Sequence, residues 1–364
     1  MELGTHFNSK ILLFGEYGLM YNAMALSVPF PKYSGFLDFD TDQSHLESTD
    51  EIRKLYEYLE SDDAAQKLHF PFELERLKND LDRGLFFNSN IPQQYGMGSS
   101  GALVAALFGK YAFPSNLGNN LSPEILKANF AVLESYFHGR SSGLDPLVSY
   151  LNKPILIDSK KQIAPVEFEL KETGLALALI DTQTTGATEP LVKHFVDLFN
   201  LPEFEQAFKE KFIPANNGCI ESILQGDKQN FFSHLEKLVR FQVYHFHEMI
   251  PAGFHRVISF AHCEKVYIKL LGSGGGGYLL AIAESNDGNA LKGGDLGWRS
   301  MRDMPTLFVN EVDKLKQGDV SEPLRSPSGF HIIKMLEVKG LDSAHSTVKT
   351  KVRHILIKTY ELVD

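Results

Sequence analysis

No part of this sequence says more about the fold than Pro92-Gln93-Gln94-Tyr95-Gly96-Met97-Gly98-Ser99-Ser100-Gly101-Ala102. Glycines and hydroxyls stand immediately before an apolar run, residues 102–108, that reads as a helix. A loop without side-chain bulk lets backbone N–H groups turn toward an anion, and the helix start behind it adds the positive end of a dipole. By chemistry this is a phosphate cradle. It is not the P-loop pattern, because no Gly-Lys-Ser/Thr follows the glycines. Two roles are open to Ser99 and Ser100: capping the helix, or offering a hydroxyl to a metal ion on bound phosphates.

Around this loop the chain alternates strand and helix signals. Lys10-Ile11-Leu12-Leu13-Phe14 is an apolar run that stops at Gly15-Glu16-Tyr17-Gly18. Residues 26–30 and 34–39 alternate as two half-buried strands do. Residues 50–82 are charged and helix-prone. Ser122-Pro123-Glu124 opens another helix, with a serine N-cap and proline at the first helical position. A boundary is expected near Asn152-Lys153-Pro154. Beyond it, residues 175–182 read as a buried strand and 188–211, 216–225, 228–247 and 252–263 as helices. Val266–Leu271 is a strand that enters Gly272-Ser273-Gly274-Gly275-Gly276-Gly277 and leaves as Tyr278–Ile282. Strand, polyglycine turn and strand make a hairpin whose backbone can approach a ligand closely.

Length and charge narrow the function classes. At 364 residues the chain has room for two or three domains. No apolar run is long enough for a bilayer. The start, Met1-Glu2-Leu3-Gly4-Thr5-His6, lacks the pattern of a secretory signal, so the expected compartment is the cytoplasm. Cys219 and Cys263 make neither a disulfide framework nor a metal cluster. The net charge of −10 is confined to residues 1–280, which hold 24 basic and 34 acidic residues, while 281–364 hold 12 of each. Neither nucleic acid nor a membrane is therefore expected as a partner; the expected partner is a small-molecule substrate, with a homodimer left open.

Phosphoryl transfer from ATP needs few protein parts: backbone donors on the phosphates, Mg²⁺ on a carboxylate and a hydroxyl, a cation, and a base for the acceptor hydroxyl. Ser100 and Glu134 suit the metal, Asp145 the base, and Lys10 the cation that stabilises an ionised Asp145 and the developing charge. Each also has a plain reading. Glu134 is then a solvated helix carboxylate, Asp145 before Pro146 the start of a turn, Lys10 an exposed strand-end lysine, and His138 and Arg140 surface residues.

Lys10–Tyr17, Pro92–Ala102 and Gly272–Gly277, in this order and spacing, resemble the three motifs of the GHMP small-molecule kinases. Tyr17 stands where many mevalonate kinases have histidine, Met97 where leucine is usual, and Gly101 where alanine is usual. The stretch from Glu134 through His138-Gly139 and Ser142-Gly143 to Asp145 is most similar to mevalonate kinase. The resemblance covers residues 1–282. It implies an α+β, two-domain kinase fold with a left-handed βαβ phosphate-loop unit, ATP and Mg²⁺ as cofactors, and mevalonate as acceptor, with phosphomevalonate or a sugar as alternatives. It implies that Asp145 deprotonates or orients the acceptor hydroxyl beside Lys10, and that Ser100 and Glu134 hold Mg²⁺. Gly96, Gly98, Ser99, Ser100, Gly101, Gly274 and Gly275 are then at the nucleotide, and Glu16, His138, Thr184 and Thr185 at the acceptor. The domains implied are 1–153 and 154–282.

Residues 283–340 resemble something else. Leu291–Trp298, Pro305–Phe308 and Val320–Lys334 look like the later part of a parvulin-type peptidyl-prolyl isomerase of the SurA kind, which is an exported chaperone. Val352–Lys358, within 341–364, resembles the opening strand of a second such repeat. Phe308 and His331 match parvulin motif positions, and His354 belongs to the following copy. That copy's strand is expected, at most, as a permuted edge beside Phe330–Met335, with the sheet face uncovered for want of helices. GHMP kinases usually continue past the third motif with a helix and a final strand. This tail in their place implies a fusion, with a peptidyl-prolyl isomerase or chaperone fragment in an inactive fusion as a further alternative.

Overall fold

The computed structural model describes residues 4–40, 44–61, 66–112, 121–139, 141–170, 173–186, 188–263, 265–284, 295–300, 303–322, 324–326, 329–339 and 349–357. They form two compact units. The first holds Met1–Glu167, Gln183–Ile220 and Leu271–Gly277, and the second Phe168–Thr182, Glu221–Leu270 and Tyr278–Asp364. The boundary expected at 153/154 falls inside the first unit.

In the first unit β1 (Phe7–Phe14), β2 (Ala25–Phe39), β3 (Leu85–Ser89), β4 (Ile155–Ile157) and β5 (Ile163–Pro165) build one antiparallel sheet. The two strands expected at 26–30 and 34–39 are one strand. Its ladder with β1 jumps from Asn8↔Ser34 to Ser9↔Phe30, so a bulge absorbs the segment around Pro31. Proline has no N–H for the ladder, and at the bulge the Ser9 hydroxyl donates to the Phe30 carbonyl at 2.9 Å.

Helix α1 (Leu46–Leu59) and α2 (Leu74–Asp82) pack beside α3 (Ser99–Tyr111), α4 (Pro123–His138) and α5 (Leu144–Leu151). The whole run Gly101–Phe108 of α3 is buried, so this helix is core on every side. It packs on α4, α5, β1 and β2. Helix α4 begins as expected, with the Ser122 hydroxyl accepting from Ile125 N–H at 3.4 Å.

The helix expected over 188–211 is interrupted. α6 (Thr188–Phe199) ends, Leu201 turns extended, and Pro202 opens α7 (Pro202–Ala207). Proline disfavours helical backbone in the residue before it, which places the break. A π-turn, Phe208–Phe212, leads into α8 (Ile213–Leu224). Phe195, Phe199, Phe204, Phe208 and Tyr21 form a ring cluster here, with centroids 3.5–6.4 Å apart.

In the second unit β6 (Leu175–Asp181), β8 (Tyr278–Glu284) and β7 (Tyr267–Leu270) form a three-stranded sheet with β8 in the middle, antiparallel to both neighbours. The expected hairpin is there, with Leu270 opposite Leu279 on either side of the glycines. α9 (Lys228–His245) and α10 (His255–Cys263) pack on β7.

The tail has a fold and a core. β9 (Asp295–Ser300), β10 (Leu324–Ser326), β11 (Gly329–Lys339) and β12 (Lys349–Ile357) form an antiparallel sheet in the order β10-β11-β12-β9. The strand of the second repeat is thus interior, not an edge. It pairs from Phe330↔Ile357 to Lys339↔Lys349 on one side and with β9 on the other. The face expected to lie open is covered by α11 (Thr306–Val312), whose Phe308 and Val312 bury against Ile333, Met335 and Val352. On the opposite face Ile332 meets Ala176, Ala178, Ala281 and Ala283 around a cavity of about 20 Å³. Deleting residues 349–364 removes the strand that joins β9 to β11. The expected result, read by amide hydrogen exchange, is loss of protection across 295–339 with β1 and α3 unaffected.

Candidate active site

Four segments far apart in sequence supply the site, all within the first unit. β1 presents Lys10, whose backbone N–H donates to the Met97 carbonyl at 3.0 Å and so fixes the strand beside the glycine loop. Gly96 (φ 71°) and Gly98 (φ 75°) are left-handed, a region that costs glycine nothing. At Gly98 the need is also steric. A Cβ there would stand 2.9 Å from Cγ of Lys10, so the lysine stem lies across the loop.

The N-cap of α3 is Gly98 and no side chain caps this end; Ser99 and Ser100 are its first residues. The capping role left open for the serines is therefore not the one taken. The Ser100 hydroxyl donates to Glu134 Oε1 at 3.3 Å, and Ser141 donates to Glu134 Oε2. Lys10 Nζ lies 2.8 Å from Asp145 Oδ2, with the lysine side chain 7% exposed and the aspartate 32%. Gly101 lets Asp145 approach: a Cβ at 101 would be 2.9 Å from the Asp145 backbone carbon and from its Cβ.

The plain readings of Lys10 and Glu134 fail on burial. Lys10 is 6% exposed and Glu134 4%. Burial, with the Asp145 charge adding to it, pushes the Glu134 carboxyl up to about 7, against the pull of Ser141, Lys10 and Ser100. Two carboxylates and one lysine share this corner, leaving it a positive charge short. A hydroxyl and a buried carboxylate are hard oxygen donors, the set that suits Mg²⁺ completed by substrate phosphates. Among the described residues no group of three or more His, Cys, Asp or Glu could hold a metal.

The glycine turn meets the same place. A Cβ at Gly277 would lie 3.0 Å from Cα of Tyr95, at the start of the serine loop. Gly277 N–H donates to the Thr184 carbonyl at 2.7 Å. At Gly276 a Cβ would meet Thr185 and Gly186 backbone at 2.6 Å, so Thr184–Gly186 packs directly on the turn. Lys10, Gly98, Ser100, Gly101, Glu134 and Asp145 are thus brought together, with Gly274, Gly275, Thr184 and Thr185 on the adjoining turn and loop. Glu16 is buried beside Tyr17. The side chain of His138 lies outside the described residues. Sequence reasoning gave no role to Ser141 or Tyr17. A hydroxyl seven residues beyond Glu134, across Gly139, was the available signal for Ser141.

Residues 54–153 match the profile of the GHMP kinases N terminal domain. Over this stretch the chain is similar to that family. The matched stretch holds the serine loop, Glu134 and Asp145, and Lys10 lies ahead of it. The fold around it agrees. The Leishmania major mevalonate kinase solved with R-mevalonate superposes with a TM-score of 0.53 at 18% identity, over 79% of this chain and 89% of that one. Phosphomevalonate kinase of Streptococcus pneumoniae, solved with phosphomevalonate and AMPPNP, gives 0.54 at 14% identity over 79% and 93%.

Residues 278–337 match the PPIC-type PPIase domain. The chaperone SurA of Nitrosococcus oceani is 47% identical over 85 residues, 23% of this chain and 20% of that protein. SurA of Chromohalobacter salexigens is 51% identical over 82 residues, 22% and 19%. The chain thus spans about a fifth of the length of these curated relatives. The PPIC match overlaps β8, which the fold uses as the middle strand beside β6 and β7. In the tail His331 is buried, its Nε2 2.6 Å from the Ser326 hydroxyl and its ring 5.3 Å from that of Phe308. The side chain of His354 lies outside the described residues. No helix among the described residues is long and apolar enough to cross a membrane.

Proposed function

We propose that this chain is an ATP- and Mg²⁺-dependent kinase that phosphorylates a hydroxyl of a small molecule, with mevalonate as the first acceptor to test. The observation that carries the reading is the Lys10–Asp145 pair at 2.8 Å, seated against Gly98 and Gly101 at the uncapped start of α3. The N–H groups at a helix start suit phosphate oxygens. Ser100 and Glu134 are the residues that would hold Mg²⁺, which when bound offsets the negative charge of the transferring group. Asp145 accepts the proton of, or orients, the acceptor hydroxyl. Lys10, paired with Asp145 at 2.8 Å, faces charge that develops during transfer. Thr184 and Thr185 stand on the acceptor side.

The test is ATP consumption with mevalonate, set against phosphomevalonate, galactose and homoserine. No consumption with any acceptor, and no thermal stabilisation by MgATP, would sink the reading. Gly101→Ala reports on the packing behind the site. Alanine favours a helix by roughly 1 kcal/mol over glycine, but its Cβ here meets backbone atoms that cannot swing aside. Asp145 must shift, and an expected 10- to 100-fold fall in kcat, roughly, follows from a displacement well under 1 Å. Steady-state kinetics with both substrates saturating checks it.

One observation favours a second activity for the tail. His331, Phe308 and Ser326 converge on one face of a completed four-stranded sheet, and this suits prolyl isomerisation. Isomerisation of a proline tetrapeptide by the full chain, abolished by His331→Ala, is the corresponding test.

A further inference from the structure

Tyr17 has an unusual backbone for a tyrosine, φ 56° and ψ −32°, a conformation that L side chains rarely adopt. It is held there by a tight turn. At Gly15 (φ 117°) a Cβ would lie 2.5 Å from Cβ of Ala25, and at Gly18 one would lie 2.7 Å from Cβ of Ala23. The ring is buried and stacks on Phe195 with centroids 4.5 Å apart and planes 20° apart. Its hydroxyl donates to the carbonyl oxygen of Ser273 at 2.6 Å, 256 residues away. Burial, with Glu16 adding to it, pushes the phenol well above its usual range, so it remains a donor throughout the working pH range.

This contact decides more than the position of one oxygen. In a trans peptide the C=O and N–H point in opposite directions, and the chain has no cis bond among the described residues. Holding the Ser273 carbonyl toward Tyr17 therefore turns the Gly274 N–H away from it. Gly274 and Gly275 both have left-handed φ, 78° and 74°, and carry no side chain to resist a flip of that peptide. A polyglycine turn of this kind needs an outside hold, and the tyrosine supplies it.

We infer that Tyr17 is a positioning residue: its hydroxyl fixes the Ser273–Gly274 peptide, and this orientation sets nucleotide affinity at the glycine turn. The inference rests on the kinase reading above and goes beyond it by giving a role to a residue outside the phosphate loop.

Tyr17→Phe tests it, since the ring and its stacking on Phe195 survive and the fold is kept. Two readouts are needed. Amide exchange over 272–277 is expected to speed up at least about 5-fold, and the Kd for Mg²⁺-AMPPNP by calorimetry to rise about 3- to 10-fold, the range of one lost hydrogen bond. In turnover, KM for ATP rises while kcat holds within about two-fold, a split that general destabilisation does not give. Unchanged exchange at 272–277 overturns the hold itself. Faster exchange with unchanged nucleotide affinity overturns the link to the nucleotide. If the wild-type chain binds no nucleotide, the kinase reading fails and the nucleotide role of Tyr17 with it, while exchange still reports the hold on the turn.

Discussion

Asp145→Asn is expected to lower kcat about 10³-fold, with KM for ATP and for the acceptor changed little, because proton transfer from a positioned hydroxyl contributes roughly 10²- to 10⁴-fold. The change is nearly isosteric, so the close packing of residue 145 on Gly101 is preserved and the phosphate loop does not move. What is lost is a negative charge. The consequence falls on Lys10, whose side chain is 7% exposed and lies 2.8 Å from the carboxylate. Left alone, a buried ammonium destabilises the fold. The full cost of breaking a buried pair is about 3–5 kcal/mol, and the 32% exposure of Asp145 cuts it well below that. The stability loss and the rate loss separate in a double variant. Lys10→Met with Asp145→Asn restores much of the melting temperature, since no unpaired charge remains, and recovers none of the rate. Full activity in Asp145→Asn would remove the proposed base. Recovery of rate in the double variant would show that Asp145 serves only to neutralise Lys10.

The parts of this site that were legible in the sequence are those where residue type nearly dictates chemistry. Glycines with hydroxyls before an apolar run read as an anion-binding helix start. Lys10, Glu134 and Asp145 are the cation and carboxylates that phosphoryl transfer needs. What was not legible depends on contacts distant in sequence. Whether Ser100 caps α3 or turns to Glu134 is settled by the placement of α4. Ser141 faces Glu134 only because the chain reverses after Gly139. The merging of two expected strands into β2 rests on a bulge that absorbs the segment between them, where the Ser9 hydroxyl donates to the Phe30 carbonyl, a contact set by the partner strand. In the tail the resemblance of Val352–Lys358 to the opening strand of a second repeat marked a strand, but it says nothing about which neighbours that strand finds here. β12 sits between β11 and β9 because both offer unpaired edges and Val352 completes the core of Ile333, Met335 and Phe308.

Glu134 gives the second large effect, and its sign is the reverse of an ordinary salt-bridged carboxylate. Its carboxyl titrates near 4.5 when unfolded and is raised to about 7 in the fold, by burial first and then by Asp145. Between those values the native state binds the extra proton. Stability therefore falls as pH rises from about 4.5 to about 7, and the loss is complete above the folded value. A divalent cation on the carboxylate reverses this, because it stabilises the ionised form and displaces the proton. Thermal melts of the wild-type chain are expected to show a larger Mg²⁺-induced rise at pH 8 than at pH 5. Glu134→Gln keeps the shape and leaves an amide that the Ser100 and Ser141 hydroxyls can satisfy by rotating. This variant should be more stable than wild type at pH 8 without Mg²⁺, with no difference between them near pH 4. It should also need at least about 10-fold more Mg²⁺ for half-maximal turnover, since losing even an outer partner of a metal ligand costs 10- to 100-fold. The difference between the two melting curves isolates this one group from every other titrating residue. A Gln variant with the wild-type response to both pH and Mg²⁺ would remove Glu134 from the metal site.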